Sequence, residues 1–268
     1  MIVREIRARS ILTRSNLPGA DFCINPYVGC SHACPYCYAR FMARYAERVE
    51  PWGEFVDVKV NAAELLRTKL AGMRRPEGEV LIGTVTDAYQ PLEREYGLTR
   101  ELLSLLPTTG FALTILTKSD LVIRDLDLLT AFDDCSVSLT ITALDDAVRK
   151  ALEPGAASPA RRLEALRQLK AHGISSRVFI GPILPGLTDL VAVIAAVAPY
   201  ADSICGEVLN LKALDFHRTD EALRRHFPDK RAAFWSAARS PAYWDGVERE
   251  MERLCAAHKV NFIALFRH

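Results

Sequence analysis

Along this chain, short runs of β-branched and aliphatic residues alternate with stretches whose apolar positions recur every three or four residues. The runs fall at 79–83 (EVLIG), 111–116 (FALTIL), 135–141 (CSVSLTI), 176–181 (SRVFIG), 202–208 and 261–266 (NFIALF), and their length and composition predict buried strands. Helix punctuation lies between them. Asn61 with Glu64 three positions later is a capping pattern ahead of Leu65, Leu66 and Leu70. Ser158 with Pro159 opens a helix that repeats Leu163, Leu166 and Leu169 and stops at Gly173. Thr188 or Asp189 caps another that carries Val191, Ile194 and Val197 before Pro199. Residues 217–258, with Trp235, Tyr243 and Trp244, read as a helical cover.

Strand then helix, repeated, requires parallel pairing with right-handed crossovers, so the class is α/β, either a doubly wound sheet or a full or partial barrel. Two features favour the barrel. Polar residues cluster just after the predicted strands, at Thr86-Asp87, Lys118-Ser119 and Thr140 with Thr142, where a barrel gathers its active site. No Gly-x-Gly-x-x-Gly turn follows any strand, so the dinucleotide form of the doubly wound sheet lacks its phosphate loop. The expectation is a partial (β/α)6 TIM-like barrel in a single domain over 1–268, with a core at about 20–210 and a helical C-terminal cover at about 211–268.

Charge narrows the function classes. With 34 Lys+Arg against 33 Asp+Glu, the net charge of +1 offers no general attraction for phosphates, so any nucleic-acid contact must come from a local patch. The most apolar run, 187–199, is interrupted by Thr188 and Asp189 and is too short for a membrane span. The opening MIVREIRARS carries charges where a signal peptide is apolar, so the expected location is cytoplasmic.

The seven cysteines are unevenly spread: Cys23, Cys30, Cys34 and Cys37 lie close together, whereas Cys135, Cys205 and Cys255 are scattered. That pattern suits a metal in a reducing compartment better than a disulfide framework. In NPYVGCSHACPYCYAR the spacing is C-x3-C-x2-C. Three such thiolates can hold a cubane iron–sulfur cluster and leave one iron without a protein ligand, open to a small molecule. The same residues could instead hold zinc, with His32 or Cys23 as fourth ligand, in a nucleic-acid binding module without catalysis. His32 itself reads as a solvated loop residue, and Glu153 with Arg161 and Arg162 as an exposed ion pair.

Cys30, Cys34, Tyr36 and Cys37 match the C-x3-C-x-aromatic-C motif at every position, and the chain resembles the radical S-adenosylmethionine (SAM) superfamily. More closely it is similar to the branch related to spore photoproduct lyase, through GTVTDAYQPLE, LTKSDLVIRDLDLL, LEPGAASPARRLEAL and GPILPGLTD. The resemblance implies a [4Fe-4S] cluster on Cys30, Cys34 and Cys37, SAM on the open iron, and a 5′-deoxyadenosyl radical that abstracts a substrate hydrogen. It implies Tyr36 beside the adenine, Thr86 and Asp87 near the SAM amino group, Lys118 at the SAM carboxylate, and Ser138 with Thr140 toward carboxylate or ribose. A flavodoxin- or ferredoxin-type electron donor follows from the same resemblance, with no membrane partner. The substrate stays open among a nucleic-acid lesion, a peptide and a small molecule. The lyase carries a hydrogen-returning cysteine before its Thr-Ser-Asp segment. Here Gly83-Thr84-Val85-Thr86-Asp87 has none, which leaves Cys135 and Cys205 as candidate thiols.

Overall fold

The computed structural model describes residues 1–268. Eleven strands form: β1 (Ile2–Ile6), β2 (Leu12–Arg14), β3 (Phe22–Ile24), β4 (Tyr27–Gly29), β5 (Phe55–Lys59), β6 (Glu77–Ile82), β7 (Gly110–Thr117), β8 (Cys135–Thr140), β9 (Ser175–Ile180), β10 (Ser203–Glu207) and β11 (Asn261–Phe266). The six expected strands are β6 to β11. They pair in chain order, all parallel, because helical crossovers return the chain to the same end each time. β3 adds a seventh parallel strand beside β6, and β2 an antiparallel edge, so the eight-stranded sheet is wider than a six-unit barrel. A small sheet β1-β5-β4 stands apart.

Side-chain alternation gives the main sheet two different faces. Along β7, Phe111, Leu113, Ile115 and Thr117 are buried, while Leu116, in the opposite phase, faces the inner side. Val178 and Ile180 of β9 are likewise fully buried, with Phe179 turned inward. The outer set packs with the helices into one hydrophobic core that includes Leu166 and Leu169 of helix Pro159–Ala171 and Val193, Ile194 and Val197 of helix Leu190–Val197. Ser158 caps the first of these helices, accepting from the Arg161 N–H at 3.3 Å. At the second the cap is Asp189, which accepts from Ala192 N–H, while Thr188 donates to the Thr142 carbonyl.

Two expectations change. Asn61 precedes helix Ala62–Ala71 but does not cap it, since its amide exchanges two hydrogen bonds with the Ala8 backbone (2.8 and 2.9 Å) and ties the N-terminal segment down. Residues 211–268 are more than a cover. Helices Phe216–His226, Pro228–Ala238 and Pro241–Ala257 lead into β11, and the last packs on β11 and on helix Leu190–Val197. Its apolar face, Trp244, Val247, Met251 and Leu254, is buried in the outer core, and no residue beyond Asn210 lines the central cavity. No helix is long and apolar enough to cross a membrane.

Candidate active site around three cysteines

β4 ends at Gly29, whose φ of +90° and proximity to the Phe55 carbonyl, 2.3 Å from where a Cβ would lie, admit only glycine. The turn it makes throws residues 30–37 across the C-terminal ends of the strands. Side chains from elsewhere then fasten this loop. Thr86 donates to the Gly29 carbonyl (2.6 Å), and Gln90 donates to Thr86 (3.1 Å) while accepting from the Ser31 N–H (2.8 Å). The Gly155 N–H donates to the His32 carbonyl (3.1 Å) and the Asp215 N–H to the Pro35 carbonyl (3.0 Å).

Cys30, Cys34 and Cys37 share the wall of one cavity that opens to solvent. Burial pushes the Cys30 thiol up to about 12, with the Asp87 and Cys37 charges adding to it. Cys34 is raised well above the usual thiol range by burial, which the Lys118 charge opposes. Cys37 is raised by burial and eased back by the Ala39 backbone N–H, by Lys118 and by the Trp52 indole. Such thiols are protonated at neutral pH and lose their protons to a metal that binds them.

No fourth cysteine shares the cavity wall, which His32 also lines. His32, expected to be solvated, is buried, with Nδ1 3.4 Å from Asp87 Oδ2, because the loop folds inward over the strand ends. Cys23 pairs with Leu81 in the sheet, lies 3.2 Å from Thr13 Oγ1 and does not line the cavity. Three thiols on one wall without a fourth match a cubane with an open iron.

Behind Tyr36 sits a buried polar hub that sequence reasoning misjudged. Glu153, expected on the surface, is 3% exposed and Arg162 is 1% exposed. Glu153 accepts from Arg162, from the Tyr36 hydroxyl and from Thr142 (3.1 Å), and Arg162 also donates to the carbonyls of Thr140 (3.0 Å) and Ala157 (2.8 Å). Burial alone would raise the Glu153 carboxyl, but the Arg162 and Lys118 charges and the hydrogen bonds outweigh it and hold it at about 2. Only Arg161 is on the surface, paired with Asp120. Lys118 lies half-buried, and its Nζ, 5.9 Å from the Tyr36 ring centre, donates no hydrogen bond to protein. Burial opposes its charge, yet Glu153 and Cys34 keep its pKa above the usual lysine value.

The remaining expected contacts divide. Thr86 is spent on the loop, and the Asp87 carboxylate accepts from Tyr89 N–H, Thr117 Oγ1 and Lys118 N–H, so both brace strand ends while lining the cavity. Thr140 lines the cavity, and Ser138 lies two residues earlier on the same strand. Cys135 packs in the outer core with Val137 and Leu139, away from the cavity. Cys205 pairs with Phe179, its thiol directed at the Val178 carbonyl (3.8 Å). Sequence reasoning passed over Gln90, Trp52, Tyr38, Phe179, Glu207 and Asn210, all lining the cavity or fastening its loop. Gln90 carried one usable signal, its position four residues after Thr86 in a short polar loop.

The family model of the radical SAM superfamily matches residues 24–193. An uncharacterized protein of Methanocaldococcus jannaschii is 39% identical over 209 residues, 78% of this chain and 78% of that protein. Spore photoproduct lyase complexed with dinucleoside spore photoproduct superimposes with a TM-score of 0.71 at 15% identity, covering 99% of this chain and 82% of the lyase. Streptococcus suis SuiB bound to precursor peptide SuiA gives 0.57 at 14% identity, covering 91% of this chain and 48% of SuiB. The cysteine spacing, the strand-end cavity and the family match agree, and the chain belongs to the radical SAM superfamily.

Proposed function

We propose that Cys30, Cys34 and Cys37 hold a [4Fe-4S] cluster and that SAM binds above it, in one catalytic domain spanning 1–268. The observation that carries this reading is the pairing of three thiols on one cavity wall with Lys118, whose Nζ makes no hydrogen bond to protein. When bound, the cluster supplies the electron that splits SAM into methionine and a 5′-deoxyadenosyl radical, which abstracts a hydrogen atom from substrate.

The protein orients and shields. Lys118 meets the SAM carboxylate as a point charge. Tyr36, pinned by Glu153, presents its ring beside the adenine. The hydroxyls of Ser138 and Thr140 reach carboxylate or ribose, and Thr86 and Asp87 keep the cluster loop and strand ends in register near the amino group. On the side of the cavity formed by β9 and β10 lie Phe179, Glu207 and Asn210. An aromatic face next to a carboxylate and an amide suits a flat group with N–H donors, so the substrate is read as a nucleobase-like unit. The likeness to a lyase bound to a dinucleoside photoproduct supports the same choice. A flavodoxin- or ferredoxin-type carrier supplies the electron, and seven unpaired cysteines suit the reducing cytoplasm.

The test is anaerobic reconstitution with iron and sulfide, then dithionite and SAM. The expected product is 5′-deoxyadenosine, abolished in Cys34→Ala. About one zinc per chain, with neither iron nor sulfide, in oxygen-free preparations would overturn the proposal.

A further inference from the structure

The segment leading into β5 presses against the cluster loop. Gly53 has φ +92°, and a Cβ there would lie 2.8 Å from Ala33 Cα, so loop and segment touch backbone to backbone. Trp52 just before it packs with Cys30, Ala39 and Phe55, with Cys37 at the edge of the same group. Its ring meets Phe55 edge-on at 6.0 Å, and its carbonyl accepts from Arg218 at 2.5 Å. Trp52 is thus held at its ring and at its backbone, yet its Nε1–H is buried and makes no hydrogen bond. An indole nitrogen can only donate, and a buried donor left unpaired loses its hydration without a bond in return. The other two tryptophan N–H groups are satisfied, Trp235 by Asp220 and Trp244 by the Ala238 carbonyl.

Two of the three cluster-loop cysteines, Cys30 and Cys37, pack with Trp52, and Cys37 is the thiol whose proton affinity the Trp52 side chain eases downward. A neutral thiol is a weak acceptor and a metal-bound thiolate a strong one. We propose that Trp52 Nε1–H donates to the Cys37 sulfur when Cys37 ligates the cluster, and that this bond sets the cluster's reduction potential. The inference rests on the cluster reading above. Reduction adds negative charge that spreads over the ligating sulfurs, so a donor aimed at one of them favours the reduced form and raises the potential. Trp52 is then a positioning and tuning residue that acts through the Cys37 sulfur.

The experiment is an EPR-monitored redox titration of reconstituted wild type, Trp52→Phe and Trp244→Phe. Phenylalanine keeps an aromatic ring in the slot and removes the N–H. The expected result is a more negative midpoint for Trp52→Phe at equal iron and sulfide content, with Trp244→Phe unchanged. A second measurement needs no variant: in wild type grown with indole-15N tryptophan, pulsed EPR of the reduced cluster should reveal coupling to that nitrogen. An unchanged or raised midpoint in Trp52→Phe, or no 15N coupling in the labelled wild type, overturns the inference while the cluster stands. Should Trp52→Phe assemble no cluster, the labelled wild type decides. Absence of iron and sulfide from the wild type would defeat the cluster reading and this inference together.

Discussion

Replacing Glu153 by glutamine isolates the buried hub beneath Tyr36. Glutamine keeps the shape and one acceptor oxygen, so the change removes charge while leaving the Tyr36 and Thr142 contacts geometrically possible. In the folded protein the Glu153 carboxyl is held at about 2, against an ordinary value of 4.5. At about 1.36 kcal/mol per pH unit, that difference makes the ionised carboxylate worth about 3 kcal/mol of stability. The sign follows from the direction. A depressed folded pKa gives stability that is fully present above pH 4.5 and is lost as pH falls toward 2. At pH 7 the variant leaves Arg162 buried without its counter-charge, for which a loss of about 3–5 kcal/mol is typical. Near pH 2 the wild-type carboxyl is about half protonated and most of its contribution is gone, so the gap between the two proteins should shrink toward zero. Urea unfolding of the apo proteins at pH 7, 5, 4, 3 and 2 reads the difference directly. A wild-type advantage that stays constant across that range, or that is absent at pH 7, refutes the account of the hub.

Two further outcomes follow from the site. Lys118→Met should weaken SAM binding about 10- to 100-fold, the equivalent of one charge-assisted contact of about 1.5–3 kcal/mol. Calorimetry on the reconstituted protein measures it, and unchanged affinity at equal iron content removes Lys118 from the carboxylate. Gly29→Ala places a methyl against the Phe55 carbonyl in a left-handed turn, and should cost about 1–3 kcal/mol in urea unfolding and lower the iron retained per chain.

The parts of this molecule that were legible in sequence are those specified by neighbours along the chain. The strands β6 to β11 announced themselves by apolar runs, the helix at Pro159–Ala171 by Ser158, Pro159 and Gly173, and the metal loop by the spacing of three cysteines. What escaped depends on residues brought together from afar. Tyr36 and Glu153 are 117 positions apart, and Ser31 and Gln90 are 59 apart. Beside Arg161 and Arg162 at a helix start, Glu153 has the local look of a solvated ion pair, and only the fold carries it under the cysteine loop. The three-residue strands β2, β3 and β4 are too short to show a period of two, so their pairing rests on partners elsewhere in the chain.

The main sheet runs from β2 at one edge to β11 at the other, and these two strands do not pair. Each edge therefore leaves a row of backbone N–H and C=O groups without a strand partner, and the three-residue length of β2 keeps that row short at one of them, which limits edge-to-edge association with other chains.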